Sequence, residues 1–354
     1  MTNTITSNGL EGIVVADTMI SEVDGERGRL VIAGHDVERF ALSTTFEDAV
    51  VAVLTAGGSK ISDPKLGLAR AAAFELVPRL GDALALPDAM DALRTSLGHL
   101  RPTGDDTADA IAAIGAAPVF VAAWHRTKSG AAPVAPDPSA SHAADYLRMT
   151  TGATSSPAAV KALDAYLVTV IDHGMSASTF TARVITSTAS DLVSAIVGAV
   201  GALKGPLHGG APGPVLDMLD AIGAPDAAEP WLLAELAAGR RIMGMGHRVY
   251  RVRDPRAAVL EAAVRPLASR RLDLARAVET AASKILRERK PDRALAANVE
   301  FYTAVLLDAV GLPRDQFAAT FAVSRTAGWC AHVLEQRRTG RLIRPASRYI
   351  GTMP

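Results

Sequence analysis

Residues 159–171, AVKALDAYLVTVI, decide the fold class. Val160, Leu163, Leu167 and Val170 recur at the three- and four-residue spacing that lines one face of an α-helix. The same rhythm runs through 192–203 (LVSAIVGAVGAL), 258–289, 299–310 and 314–337. Thr45, ahead of Phe46-Glu47 and a long Ala/Val/Leu segment, reads as a helix cap. Pro266 has no amide N–H to donate and is expected to bend or divide the 258–289 segment. Only 13–34, IVVADTMISEVDGERGRLVIAG, alternates like strands, with Asp24-Gly25 as its turn. The Pro/Ala/Ser-rich stretch 127–143, TKSGAAPVAPDPSASHA, is expected to be an exposed loop. No short-period repeat is present. The expectation is a mainly α protein with a small N-terminal β element and a domain change near 213, after HGGAPG.

The bulk numbers agree. A chain of 354 residues, 49% of them hydrophobic, is long enough for a large core and roughly two domains. Equal numbers of basic and acidic side chains, 37 each, argue against a nucleic-acid partner. A single cysteine, Cys330, cannot form an internal disulfide, which fits a reducing cytoplasm. The N-terminus MTNTITSNGLEG lacks the basic and apolar regions of a secretory signal. The longest apolar stretch, 192–203, is well short of the ~20 residues that span a membrane. It reads as a buried helix, and no membrane association is expected.

Of eight histidines, His35, His99, His125, His142 and His332 have ordinary surroundings and read as structural. His173 (DHGMSASTF), His208 (GPLHGGAPGP) and His247 (MGMGHRVY) differ. Each lies at a break between helical segments with glycine beside or near it, where backbone can approach a ligand closely. They are 35 and 39 residues apart, and Cys330 has no paired cysteine, so the short spacings of a zinc site are missing. Gly244 and Gly246 do not complete a dinucleotide fingerprint, because Val249 stands where the third glycine would fall. No phosphate-binding P-loop is present either.

Arg325, among the small and apolar neighbours of FAVSRTAGWCAHVLEQ (321–336), is expected to be buried and to need an anion. That anion is either an internal carboxylate or a bound substrate. Arg256 in DPRA and Arg344 in LIRPAS are further carboxylate-binding candidates, since a guanidinium suits bidentate pairing. Asn298 in NVEFYTA can cap a helix with Glu300 in its first turn. There the helix dipole favours the ionised carboxylate, ready to act as a base.

Together these stretches resemble the citrate synthase family in its bacterial and archaeal form. GLEGIVVADTMISEVDG, DHGMSASTFTARV, GPLHGGA, GMGHRVYRVRDPRA, NVEFY and FAVSRTAGWCAHVLEQ…RLIRP occur in family order over nearly the whole chain. The resemblance implies an almost all-helical homodimer with a large domain, 1–213 with 325–354 returning to it, and a small domain, 214–324. It implies that His208 holds the acyl thioester carbonyl, that His247 sits beside the oxaloacetate carbonyl, and that Glu300 is the base. His173, Arg256, Arg325 and Arg344 would bind oxaloacetate, with Arg344 donated by the partner subunit. Arg251 would meet coenzyme A phosphate, and Met243, Gly244, Met245, Gly246 and His247 would lie along its adenine. No metal and no cofactor beyond the coenzyme A thioester substrate is implied.

The chain departs from the family pattern in four places. Glu300 stands where the family has aspartate. Ala296-Ala297 replaces Tyr-Pro, Thr303-Ala304 replaces Ser-Gly, and APGPV follows His208 in place of Ala-Asn-Glu. One extra methylene moves a carboxylate by about 1 Å, a displacement that can cost ~100-fold in rate. The expected activity is condensation of acetyl-CoA with oxaloacetate and water to citrate and CoA. The alternatives are a 2-methylcitrate synthase using propionyl-CoA and a non-catalytic paralogue that binds CoA and oxaloacetate.

Overall fold

A computed structural model describes residues 9–10, 12–208, 212–247, 249–290 and 295–353. The polar stretch before Gly9, Gly209–Ala211 of the GPLHGGA motif, and Arg248 lie outside the described residues. Strands β1 (Ser21–Asp24), β2 (Arg29–Ile32) and β3 (His35–Asp36) form one antiparallel sheet in that order, with Ser21 opposite Ile32 and Asp24 opposite Arg29. The expected Asp24-Gly25 turn joins the first two.

Helices make up nearly all the rest: α1 (Val37–Ser43), α2 (Phe46–Ala56), α3 (Leu66–Phe74), α4 (Ala89–Leu97), α5 (Asp106–Lys128), α6 (His142–Thr151), α7 (Pro157–Val170) and α8 (Ala177–Ser187). There follow α9 (Leu192–Leu203), α10 (Pro212–Ile222), α11 (Ala228–Ala237), α12 (Pro255–Val264), α13 (Arg270–Arg289), α14 (Val299–Ala309) and α15 (Phe317–Thr339).

Side-chain caps set most of the starts. Thr45 accepts from the amide of Asp48, Ser156 from Ala159, Ser176 from Thr179, Asp254 from Arg256 and Asn298 from Glu300. Pro266 does divide its segment. α12 ends at Val264, a 3-10 turn covers Arg265–Leu267, and Ala268 reverses the chain at φ +49 before α13. The Pro/Ala/Ser stretch links α5 and α6 over 129–141 only, its two ends being helical, and the buried Arg70 pins it by donating to the carbonyls of Asp137 and Ala140.

The core is organised by α15, buried on nearly every side and packed against α2, α5, α7, α8 and α9. α5 is the one helix among the described residues that is long and apolar enough to cross a bilayer, and 78% of its apolar window is buried here. It packs against α3, α4, α6 and α15. Its uncharged run 110–124, AIAAIGAAPVFVAAW, is longer than the 192–203 stretch expected to be the longest. Asp109 accepts from the amide and hydroxyl of Thr103, so its buried charge is met locally. α10, α11 and α13 build an outer layer on α14, and α12 packs on α14 as well as on α1 and α7. The corner between α7 and α8, the turn after α9, the 243–254 loop and the first turn of α14 therefore meet beside α15.

Candidate active site

The three glycine-flanked histidines come together. Gly174, at φ +61, turns the chain from His173 into α8. The His173 and His247 rings lie 5.6 Å apart, centroid to centroid, with Tyr250 4.7 Å from His247 and its hydroxyl 3.2 Å from His173 Nε2. Burial, and after it the positive charges of Arg256 and Arg325, hold His173 well below the ordinary histidine pKa; His247 and His208 push the same way.

The backbone decides which ring nitrogen of the other two carries the proton. His247 Nδ1 accepts from the amides of Val249 and Tyr250, both at 3.0 Å, so Nε2 bears the hydrogen. His208 Nε2 accepts from the amide of Ser178 at 3.2 Å and lies 2.8 Å from its hydroxyl, which leaves the proton on Nδ1. Trp329 Nε1 donates to the same hydroxyl oxygen at 3.1 Å, freeing the Ser178 proton for the ring. The Ser178 amide is one of the unpaired donors of the first turn of α8, and the positive end of that helix opposes a charged imidazole. Burial, helped by Arg325, pushes the His208 pKa down to about 4, and burial with Arg256 does the same to His247. At neutral pH all three rings are therefore uncharged donors.

Glu300 shows a different balance from the one its sequence position implies. Asn298 caps α14 and accepts from the Glu300 amide at 3.0 Å, as expected. The residue, however, is half-buried, and its Oε2 is shut off from solvent with no hydrogen-bond partner among the described residues. Burial lifts its pKa to about 7; the charge of Asp254 adds to this, and Arg256 and Arg325 oppose it. Desolvation outweighs the helix dipole, which is worth only about 1 kcal/mol.

The arginines separate. Arg325 is 1% exposed; its Nε donates to the carbonyl of Val170 at 2.8 Å, and Nη2 is buried with no partner. Its guanidinium stands 4.6 Å over the Phe321 ring, and burial lowers its pKa to about 10. Of the two expected anions, no internal carboxylate stands at salt-bridge distance among the described residues, although the charges of Asp172 and Glu300 reach the guanidinium. Arg256 is buried too, but pairs Nε and Nη2 with Asp254 at 3.0 and 2.7 Å. Asp254 also accepts from the Val299 amide at 3.2 Å, joining the starts of α12 and α14. Arg344 lies exposed in the extended tail after α15, outside this cluster.

The 243–247 loop braces the Glu300 helix. Gly246 N donates to Ala296 O at 2.7 Å, Asn298 N to Gly244 O at 2.9 Å, and Asn298 Nδ2 to Gly246 O at 2.8 Å. A Cβ on Gly244 would lie 2.8 Å from Phe301 Cδ2, so the site needs glycine there. Met243 faces solvent at 38% exposure, and Arg251 is exposed with its amide on Gly25 O at 2.9 Å. Among the described residues no three His, Cys, Asp or Glu side chains are grouped to hold a metal.

Sequence reasoning missed Ser178, Tyr250, Asp254 and Trp329, which orient the chosen residues. It also missed Tyr166, a fully buried tyrosine whose hydroxyl has no partner among the described residues and feels the charge of Glu300. The Ser-Ala-Ser run after His173 and the Asp-Pro step before Arg256 are helix-start signals that could have exposed Ser178 and Asp254. Tyr166 carries no such signal, because it sits at an ordinary core position of α7.

The family model described as "Citrate synthase, C-terminal domain" matches residues 9–346. A citrate synthase of Deinococcus radiodurans is 37% identical over 98% of this chain and 96% of its own. The crystal structure of citrate synthase from Thermotoga maritima superposes with a TM-score of 0.85 at 34% identity, covering 99% of this chain and 97% of that one. A ternary complex of carboxymethyl coenzyme A and oxaloacetate with the citrate synthase of Thermoplasma acidophilum superposes with a TM-score of 0.86 at 27% identity, covering 98% and 96%. On sequence and fold together, the chain belongs to the citrate synthase family.

Proposed function

We propose that this chain condenses acetyl-CoA with oxaloacetate and water to give citrate and CoA, an acyl transfer in which the acyl group becomes an alkyl group. The observation that carries the reading is the pairing of two buried, unpartnered groups of opposite character, Arg325 Nη2 and Glu300 Oε2, beside neutral imidazoles. An unmet buried guanidinium calls for an anion, and a keto diacid supplies one. A carboxylate with a pKa of about 7 can take a proton near neutral pH.

The chemistry follows from the hydrogen positions. Glu300 removes a proton from the acyl methyl group, and the enolate oxygen takes a hydrogen bond from His208 Nδ1–H as its charge develops. The enolate carbon attacks the keto carbon of oxaloacetate, and His247 Nε2–H protonates the new alkoxide. Water then hydrolyses the thioester, releasing CoA thiol. His173, Arg256 and Arg325 bind the keto acid, and Arg251 with Met243, Gly244, Met245 and Gly246 receives the CoA nucleotide. The ligands named for the Thermoplasma relative support these substrates. No metal or further cofactor enters the scheme.

The working unit is a homodimer in which Arg344 completes the partner's site. Its exposure supports this, as does the tail around it, where Leu342, Tyr349, Ile350 and Met353 are all more than half exposed. The cleft lies between a large domain (1–213 with 325–354) and a small one (214–324), whose closure excludes water until the C–C bond is made. The test is thiol release with oxaloacetate and a panel of acyl-CoAs. Turnover with acetyl-CoA is expected, with kcat/KM above that for propionyl-CoA. Binding of both substrates without thiol release would defeat the proposal.

A further inference from the structure

We infer that the β1–β2 hairpin positions the loops carrying His173 and His247 relative to each other, and that Ser21 is a positioning residue for the reaction. The kinetic part of this rests on the condensation proposed above.

One end of the hairpin grips the His173 loop from both sides of the histidine. Ser21 Oγ donates to Asp172 Oδ2 at 2.5 Å and accepts from the amide of Gly174 at 2.9 Å. Val23 closes over the same turn; a Cβ on Gly174 would lie 3.2 Å from its Cγ2. Asp172 is held from behind by α15. His332 Nε2 stands 3.2 Å from Asp172 Oδ1, off the line of a hydrogen bond, and His332 Nδ1 accepts from Arg183 Nε at 3.0 Å. Arg183 Nη2 pairs with Glu335, whose other oxygen accepts from the amide of Met19 at 2.8 Å. The chain of contacts thus returns to the residues just before β1. Asp172, Arg183, His332 and Glu335 are each at most 2% exposed. The hydrogen bonds of Ser21, Arg183 and Glu335 hold this buried cluster together, with the His332–Asp172 contact as its one link that is not a hydrogen bond.

The other end grips the loop that orients His247. Gly25 O accepts from the Arg251 amide at 2.9 Å. A Cβ on Gly25 would lie 2.3 Å from Val249 O, and one on Gly28 2.5 Å from Val252 Cγ2. Val249 and Tyr250 are the residues whose amides hold His247 Nδ1. β1 therefore spans the distance between two catalytic loops far apart in the chain, and its paired strand keeps that distance constant. A misplacement of about 1 Å at such groups costs ~100-fold in rate, so a rigid spacer has a direct catalytic consequence.

The experiment compares Ser21→Ala, Ser21→Thr, Gly25→Ala and Arg29→Ala by steady-state kinetics and by long-range 1H–15N spectra of the imidazoles. Ser21→Ala is expected to lower kcat about tenfold and raise the oxaloacetate KM, leaving the acetyl-CoA KM nearly unchanged, and Ser21→Thr to restore both. Gly25→Ala is expected to remove the Nδ1-acceptor signature of His247 and let that ring titrate nearer 6.5. Arg29 makes only a surface pair with Glu22 at 3.0 Å, so Arg29→Ala should keep wild-type kinetics. Wild-type rates and unchanged imidazole signals in folded Ser21→Ala and Gly25→Ala would overturn the inference, and so would equal losses in Arg29→Ala. If Ser21→Ala does not fold, Ser21→Thr and Gly25→Ala still decide. If the wild type releases no thiol, the condensation fails while the imidazole spectra still judge the hairpin.

Discussion

At Glu300 three forces meet: burial raises the pKa, the α14 dipole and two arginines lower it, and burial wins. Glu300→Gln is expected to reduce turnover by about three orders of magnitude with oxaloacetate affinity nearly unchanged. The same carboxylate sets a pH dependence of stability. Its folded-state pKa, about 7, exceeds its ordinary 4.5. The native state therefore binds the extra proton, and stability declines as pH rises between those values, by about 3 kcal/mol in all. Thermal melts should show Glu300→Gln more stable than wild type at pH 8, the two converging near pH 4.5. His208 and His247 act with the opposite sign. Their folded pKa values of about 4 lie below 6.5, so their contribution is present above 6.5 and is lost as pH falls toward 4. At pH 7.5 an imidazole spectrum should show His208 as the Nδ1–H and His247 as the Nε2–H tautomer; reversed tautomers would remove both from their proposed roles.

The two buried arginines offer a contrast at the same scale. Arg256→Leu leaves Asp254 buried without its bidentate partner, so it should raise the oxaloacetate KM sharply and also cost about 3 kcal/mol of stability. Arg325→Leu removes a guanidinium that has no carboxylate at salt-bridge distance among the described residues. It should raise the KM as strongly but cost less stability than Arg256→Leu in denaturant melts, about 1–2 kcal/mol for the lost bond to Val170 O.

Helix ends, more than helix faces, build the site. The first turn of α8 supplies the amide that fixes His208, α12 begins on Asp254, and α14 presents Glu300 at its own start. α15 contributes Arg325, Trp329 and His332 from one side at helical spacing. The 243–247 loop holds α14 in place, and Gly244 shows how tightly. Gly244→Ala combines φ +72 with a Cβ 2.8 Å from Phe301, and should lower stability by about 2–4 kcal/mol. Gly239→Ala, at φ +75 with open space around it, should cost only about 1 kcal/mol. Calorimetry that found the two equal would show that Phe301 yields freely.

For the whole molecule the sharpest expectation concerns the shared site. If Arg344 acts across the dimer, Arg344→Leu and Glu300→Gln homodimers are each nearly inactive. After subunit exchange, half of the dimers are hybrids with one complete site, and activity should return to about a quarter of wild type. No recovery on verified exchange would place Arg344 in its own subunit's site or outside both.

The features legible in the order of residues are local. The 3.6-residue rhythm set the helical class, Thr45 and Asn298 set helix starts, and Pro266 divided α12 from α13, because each acts through neighbours a few residues away. Candidate chemistry was legible for the same reason: His173, His208 and His247 stand beside glycines at breaks, and Arg325 is a charge in an apolar run. Which groups met depended on packing. It left Arg325 with no carboxylate at salt-bridge distance among the described residues, fixed the His208 tautomer through an amide of another segment, and shut Glu300 Oε2 off from solvent, which reverses the pull of its helix. Desolvation and proton position depend on everything packed within a few ångströms, and those neighbours include residues as distant along the chain as Ser178 from His208 and Val170 from Arg325.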